Sequence, residues 1–132
     1  MINSKNNNRN IIIVAGGTGG HIFPAITAGK YLNEKLFNVK FIADSRGLDN
    51  LSLAELKPIV IPVKGFAGKT FFQKTISIIL IFISFFRTIY FLKKNKVDLV
   101  LGFGSYVQVP VLLAAKILKI NIILHEGNLI LG

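Results

Sequence analysis

The side chains best suited to chemistry lie in a glycine-rich segment that ends in a histidine, Gly16-Gly17-Thr18-Gly19-Gly20-His21. Glycines let a backbone turn sharply and approach a ligand, and the N-terminus of a following helix offers free N–H groups to an anion. The positive end of that helix favours a neutral His21 imidazole, which can accept a proton. Because a histidine in this place can also merely hydrogen-bond the loop, its position alone leaves the role of general base open.

This segment fits neither of the two common phosphate-binding patterns. The dinucleotide pattern Gly-x-Gly-x-x-Gly, started at Gly17, would need a glycine where Ile22 stands. The Walker pattern needs a Gly-Lys-Ser/Thr run, and the segment contains no lysine.

Two more polar segments follow predicted strands. One is Gly102-Phe103-Gly104-Ser105-Tyr106 and the other is His125-Glu126-Gly127-Asn128. In an open parallel sheet the loops at the carboxyl ends of neighbouring strands share one crevice, where ligands bind. A single glycine loop is most simply a turn, but three loops that converge favour a ligand site.

The elements that must position these loops alternate along the chain. Continuous apolar runs predict strands at 11–15, 39–43, 59–63, 97–102 and 120–124. Helical patterns lie between them at 24–36, 48–56 and 106–118. This alternation predicts a doubly wound α/β domain with a parallel sheet covered on both faces. Residues 1–10 are polar and asparagine-rich, so we predict a disordered lead-in rather than a signal peptide.

The least usual segment is Thr75–Phe86, twelve residues without a charge between Lys74 and Arg87. A membrane-spanning helix needs about 20 apolar residues, so this run is too short to span. It is apolar almost all round, whereas a helix that covers a sheet needs only one apolar stripe. We therefore predict that part of it touches a membrane surface, with Ile79 and Phe82 inserted and the flanking cations on lipid headgroups. The alternative is a wholly buried core helix.

The charge and composition of the chain limit the kinds of molecule that it is expected to bind. The formal charge is +10, and eight basic residues with no acid lie between positions 57 and 96. Such a segment favours an anionic surface, either phospholipid or nucleic acid. The aromatic residues cluster in the apolar run instead of alternating with the cations, which argues against nucleic acid. The absence of cysteine excludes disulfides and thiolate metal sites, and the spacing of Asp44, Asp49 and Asp98 suits no metal. We predict neither a metal nor a cofactor.

Taken in order and spacing, the three glycine and histidine segments resemble those of the lipid I N-acetylglucosaminyltransferases. Residues 45–49 and 65–69 are similar to two further stretches of that family, so the resemblance covers nearly everything after Asn10. It implies a Rossmann-like N-terminal domain of a two-domain GT-B glycosyltransferase. It also implies transfer of N-acetylglucosamine from UDP-N-acetylglucosamine to undecaprenyl-linked lipid I, for peptidoglycan synthesis at the cytoplasmic face of the plasma membrane.

The resemblance also assigns roles to individual residues. It places Thr18, Gly19, Gly20 and Asn128 on the UDP-N-acetylglucosamine donor. It places His21 near the acceptor as the candidate base, together with the acceptor-side candidates Gly104, Ser105 and Tyr106. Two positions depart from the family pattern, because Ser105 stands for a usual glycine and Gly127 for a usual glutamine.

The family has a second domain that holds most of the donor site, and we expect that domain to lie outside this chain. Residues 11–132 are then the acceptor-side domain, apparently truncated, and the 132-residue chain alone is expected to be inactive. It remains open whether a separate chain carries the second domain. Two alternatives also remain open at this stage: a non-catalytic α/β module that binds nucleotides or nucleic acid, and a remnant of a split gene.

Overall fold

The computed structural model describes residues 9–65 and 68–125, and its strands and helices alternate as the sequence predicts. They are β1 (Asn10–Val14), α1 (Gly19–Glu34), β2 (Asn38–Ala43), a 3₁₀ turn (Ser45–Asp49), α2 (Leu51–Glu55), β3 (Ile59–Val60), α3 (Phe71–Lys94), β4 (Leu99–Gly102), α4 (Gln108–Ile117) and β5 (Asn121–Leu124).

The five strands form one parallel sheet in the order β3-β2-β1-β4-β5. Strand β1 lies at the centre, and successive residues of it point to opposite faces. Ile12 belongs to an apolar core beneath α3 and α4, whereas Ile11 and Ile13 belong to a second core beneath α1 and α2. Both faces of the sheet are therefore covered, and the predicted doubly wound α/β fold is confirmed.

Several element boundaries differ from the predicted ones for local reasons. Helix α1 begins at Gly19 rather than at Pro24, because the carbonyl of Thr18 already accepts hydrogen bonds from the N–H groups of His21 and Ile22. Strand β3 ends at Val60, two residues before Pro62, which has no N–H to donate to a sheet. Strand β1 begins at Asn10, the last residue of the predicted lead-in.

Helix α3 buries three small hydroxyl side chains against the domain. Its buried residues are Ser77, Ser84, Thr88 and Leu92. The hydroxyl of Ser84 donates to the carbonyl oxygen of Pro62 at 2.7 Å, and the hydroxyl of Thr88 donates to the carbonyl oxygen of Ser84 at 2.7 Å. Small hydroxyl side chains can face a core in this way because each finds a carbonyl acceptor. These hydrogen bonds and the packing of Phe85, Ile89 and Leu92 on the core together hold the helix against the sheet.

The opposite side of α3 is apolar and open to solvent. Ile79 is 53% exposed and Phe82 is 60% exposed, so the prediction that part of the segment remains uncovered is confirmed. With 24 residues, about 36 Å at 1.5 Å per residue, α3 is the one helix in the described ranges whose length and composition would allow it to cross a membrane. Its hydrogen-bonded contact with the segment after β3 instead places it along the surface of the domain.

Candidate active site at the glycine loops

The candidate site lies where β1, β4 and β5 end side by side. In the sheet register, Val14 is opposite Gly102, and Gly102 is opposite Leu124. Two backbone hydrogen bonds continue this alignment beyond the strands, from the Phe103 N–H to the Val14 carbonyl at 3.0 Å and from the His125 N–H to the Gly102 carbonyl at 2.8 Å. The structure therefore brings the first two glycine loops and the start of the third polar segment to one edge of the sheet.

His21 lies in the first turn of α1, with its ring packed over Gly104. A Cβ atom added to Gly104 would be 2.6 Å from the Cδ2 atom of His21 and 2.8 Å from its Nε2 atom. The Nδ1 atom of His21 is buried and has no hydrogen-bond partner among the described residues. Because a buried polar atom is normally paired, this unpaired nitrogen marks His21 as a candidate functional residue.

Left-handed backbone conformations shape both glycine loops. Gly17 has φ +75° and Gly104 has φ +103°, values that glycine adopts without strain. Ser105 has φ +74°, so the residue that replaces the family's usual glycine is itself in the left-handed region. A non-glycine residue there costs about 1–3 kcal/mol, and such strain is found preferentially at functional sites.

The start of α1 leaves polar groups available to a ligand. Thr18 is the N-cap residue, but its exposed side chain makes no capping hydrogen bond in the structure. The first N–H groups of a helix have no carbonyl partner one turn earlier, which applies here to Gly19 and Gly20. A hydroxyl and two backbone N–H groups at a helix N-terminus are donors suited to a phosphate or a sugar.

Tyr106 connects the second glycine loop to the segment before α3. It lies just before α4 and is 40% exposed. A Cβ atom added to Gly65 would be 2.6 Å from the Cε2 atom of Tyr106, so the backbone of Gly65 lies directly against the ring. This contact brings the segment that follows β3 to the edge of the site.

An ion pair at the end of β2 is a feature that the sequence reasoning did not identify. Asp44 is fully buried, and its Oδ2 atom accepts hydrogen bonds from the Nε and Nη2 atoms of Arg46 at 3.1 and 2.9 Å. Its Oδ1 atom accepts from the N–H of Gly47 at 2.9 Å. Arg46 Nη2 is also 3.5 Å from Ser105 Oγ, so the pair reaches the second glycine loop. In the sequence, this ion pair was indicated by an aspartate directly after a predicted strand and an arginine two residues later.

The remaining predicted residues divide into two groups. His125 is exposed, and its ring stacks on that of Phe103 with the ring centroids 5.1 Å apart. Asn128, the predicted donor contact after β5, lies outside the described residues, as does Gly127. Within residues 9–65 and 68–125, no three His, Cys, Asp or Glu side chains are grouped as a metal site would require.

Comparison with known proteins adds independent findings. Residues 11–132 match the model of the glycosyltransferase family 28 N-terminal domain. A protein of Wolbachia sp. subsp. Brugia malayi is 39% identical over 122 residues, which are 92% of this chain and 34% of that protein. A protein of Acinetobacter baumannii is 35% identical over 126 residues, which are 94% of this chain and 34% of that protein. Both are named UDP-N-acetylglucosamine–N-acetylmuramyl-(pentapeptide) pyrophosphoryl-undecaprenol N-acetylglucosamine transferase.

Solved structures agree with these matches. The crystal structure of Acinetobacter baumannii MurG superposes with a TM-score of 0.78 at 31% identity, over 94% of this chain and 37% of the other. A UDP-N-acetylglucosamine 2-epimerase superposes with a TM-score of 0.63 at 18% identity, which shows a shared fold. The chain spans about one third of the length of the curated relatives that it matches.

Proposed function

We propose, from the premise that this chain belongs to the glycosyltransferase family 28 N-terminal domain family, that it is the acceptor-side and membrane-side part of an N-acetylglucosaminyltransferase. The donor is UDP-N-acetylglucosamine and the acceptor is N-acetylmuramyl-(pentapeptide) pyrophosphoryl-undecaprenol, as the relatives' names state for those proteins. These names favour transfer over the alternative of a non-catalytic binding module. The observation that carries the proposal is the position of His21 where the two glycine loops meet, with its ring packed over Gly104.

The proposed reaction is a single displacement with inversion at the sugar. A hydroxyl oxygen of the muramyl sugar attacks the anomeric carbon of the donor and forms the new glycosidic bond. The bond from that carbon to the diphosphate oxygen breaks, and UDP departs with the electron pair. The proton of the attacking hydroxyl passes to the imidazole of His21 as general base.

The other residues bind and orient the two substrates. Thr18, Gly19, Gly20 and Asn128 contact the donor, in keeping with the helix N-terminus and the free hydroxyl at residues 18–20. Gly104, Ser105 and Tyr106 contact the acceptor, in keeping with the packing of Gly104 against the His21 ring. Most of the donor site belongs to a second domain, carried by the same polypeptide or by a separate chain.

The membrane part of the proposal rests on the apolar side of α3 that is exposed to solvent. Its exposed side carries large apolar side chains, and six of them are at least 53% exposed: Phe71, Phe72, Ile79, Phe82, Phe86 and Tyr90. Lys74 lies in its first turns, Arg87 further along it, and Lys93 and Lys94 in its last turn. An apolar face bordered by cations is suited to an anionic bilayer surface, with apolar insertion and charge attraction acting together. The acceptor's lipid anchor gives a reason for such contact at the cytoplasmic face of the plasma membrane.

We expect Phe82→Ser and Ile79→Ser to weaken binding to anionic vesicles without unfolding the protein, because both side chains already face solvent. Binding should rise with anionic lipid and weaken with salt, since each basic residue near the surface contributes about 1 kcal/mol that salt screens. Sedimentation with neutral and anionic vesicles measures this, and circular dichroism checks the fold.

The matched control is Phe85→Ser, because Phe85 packs against the core beneath α3 and its loss should lower stability. Equal sedimentation with both vesicle types, or unfolding of the Phe82→Ser variant, would contradict membrane contact by this face.

The 132-residue chain alone should form no product from UDP-N-acetylglucosamine and lipid I, because the proposal assigns most of the donor site to a second domain. The measurement is radiolabel from the donor recovered in the lipid fraction, against a blank without protein. Joining the chain to the second domain of the Acinetobacter baumannii relative should restore product. Product from the chain alone would overturn this division of the site.

A further inference from the structure

A cationic cavity lies beside the glycine loops, outside the residues assigned so far to the donor and to the base. Its volume is about 390 Å³, and its lining includes Arg46, Lys64, Lys69 and Tyr106. Tyr106 forms the side next to the second glycine loop, and the two lysines come from the segment between β3 and α3. The cavity therefore borders the acceptor side of the candidate active site.

Two of the three cations are held in place by neighbouring groups. Arg46 is fixed by its two hydrogen bonds to the buried carboxylate of Asp44. The Nζ atom of Lys69 donates to the hydroxyl of Ser77 on α3 at 3.2 Å. The three cationic side chains carry three positive charges, and the carboxylate of Asp44 neutralises one of them. The group therefore has a net charge of +2. Cations held before a ligand arrives lose less freedom when they bind it.

The cavity also borders the membrane-facing surface. Lys64 and Lys69 line a second, smaller hollow of about 140 Å³ together with Gln73 and Ile76. Ile76 is 36% exposed and belongs to the apolar side of α3. The N-terminus of α3, which follows Lys69 after the cap residue Thr70, adds the positive end of its dipole. The cations therefore lie between an apolar surface on one side and Tyr106 on the other.

We propose that Arg46, Lys64 and Lys69 form the subsite for the diphosphate of the lipid-linked acceptor. This inference rests on the proposed function and deepens it. A prenyl-diphosphate sugar has an apolar chain, a doubly charged diphosphate and a sugar, in that order. The structure presents the apolar side of α3, a cavity with two net positive charges, and the His21 loop in the same order. The prenyl chain lies along α3, and the muramyl sugar extends past Tyr106 toward His21.

The test is binding of geranyl diphosphate to the 132-residue chain, measured by isothermal titration calorimetry in a mild non-ionic detergent. Lys64→Gln should weaken binding about tenfold or more, because a hydrogen bond between two charged groups is among the strong ones in proteins. Lys64 is exposed, so the variant should fold, and circular dichroism checks this. Arg46→Lys, which keeps the charge but loses the two-point contact with Asp44, should weaken binding less than Arg46→Gln.

The matched control is Lys30→Gln, an exposed lysine on α1, which lies on the opposite face of the sheet. It should leave the affinity unchanged. Equal affinity of Lys64→Gln and the unmodified chain for geranyl diphosphate would overturn the proposal. It would also be overturned if phosphatidylglycerol vesicles at equal phosphate concentration displaced geranyl diphosphate completely, because the cavity would then be a contact for lipid headgroups.

This binding measurement is independent of sugar transfer. If Lys64→Gln binds geranyl diphosphate normally while the joined two-domain protein still transfers sugar, the subsite is wrong and the proposed function stands. If the variant loses diphosphate binding but no transfer is found in the joined protein, the subsite stands and the proposed reaction is wrong.

Discussion

Replacing His21 by alanine should lower the kcat of sugar transfer by about 10²–10⁴-fold in a protein that joins this chain to a donor-binding domain. The imidazole is packed over Gly104, and its Nδ1 atom is buried without a partner among the described residues. An imidazole held in this way can take the proton of an attacking hydroxyl. Because His21 acts on the acceptor, the affinity for the donor should change little.

Two companion variants distinguish proton transfer from a purely structural role. His21→Asn keeps a polar side chain at the same place but cannot accept the proton, so its kcat should fall nearly as far as that of His21→Ala. Lys30→Ala, a change of an exposed residue further along α1, should leave kcat unaltered. Steady-state kinetics with lipid I as acceptor measures all three. A decrease of less than tenfold in His21→Ala would leave this residue with a loop-shaping role only.

Gly104→Ala should reduce kcat/KM by about 100-fold or more, because the new methyl group would displace the His21 ring. The added Cβ would lie 2.6 Å from Cδ2 of that ring, and a shift of about 1 Å in a reacting group can cost about 10²-fold in rate. The backbone angle φ of +103° adds strain, so the free energy of unfolding should also fall by about 1–3 kcal/mol.

Gly68→Ala distinguishes backbone strain from displacement of the His21 ring. Gly68 also has a left-handed φ, +68°, but a Cβ there would meet no atom of the described residues within 4 Å. This variant should lose some stability and keep its activity. Thermal unfolding and kinetics on both variants measure the difference. If Gly104→Ala and Gly68→Ala lost activity equally, backbone strain rather than displacement of His21 would explain the loss.

The sheet and the meeting of its loops could be predicted from the sequence because both follow from continuous segments. A β-branched run such as Ile11–Val14 predicts a buried parallel strand wherever it occurs. The carboxyl ends of adjacent strands then meet without any knowledge of side-chain contacts. The exact length of β3 was harder to predict, because a strand at the edge of a sheet has a partner on one side only.

The orientation of α3 could not be predicted, because its sequence is apolar almost all round. The hydroxyl of Ser77 donates to the carbonyl of Gln73 one turn earlier, and that of Ser84 reaches the carbonyl of Pro62. Since these acceptors satisfy the serines inside the domain, the serines face the sheet, and isoleucines and phenylalanines such as Ile79 and Phe82 face outward. The acceptor for Ser84 lies 22 residues away in sequence, beyond any local pattern.

The details of the site depend on contacts between distant segments. The approach of Arg46 to Ser105 joins residues 59 positions apart, and the contact of Gly65 with Tyr106 joins two different loops. Neither is encoded in the spacing of a motif. The resemblance of the glycine loops to a known family suggested His21 and Tyr106 as candidates. The cationic cavity could not be predicted, because its lining comes from segments that only the folded structure brings together.

The central claim is that this chain supplies the acceptor and membrane side of a sugar transferase. Its most direct test is a transfer assay with the chain joined to the second domain of the Acinetobacter baumannii relative, in anionic vesicles that contain lipid I. We predict that labelled N-acetylglucosamine moves from UDP-N-acetylglucosamine to the lipid fraction, and that the second domain alone transfers none. A folded joined protein that binds the donor but leaves all label in the aqueous fraction would contradict it.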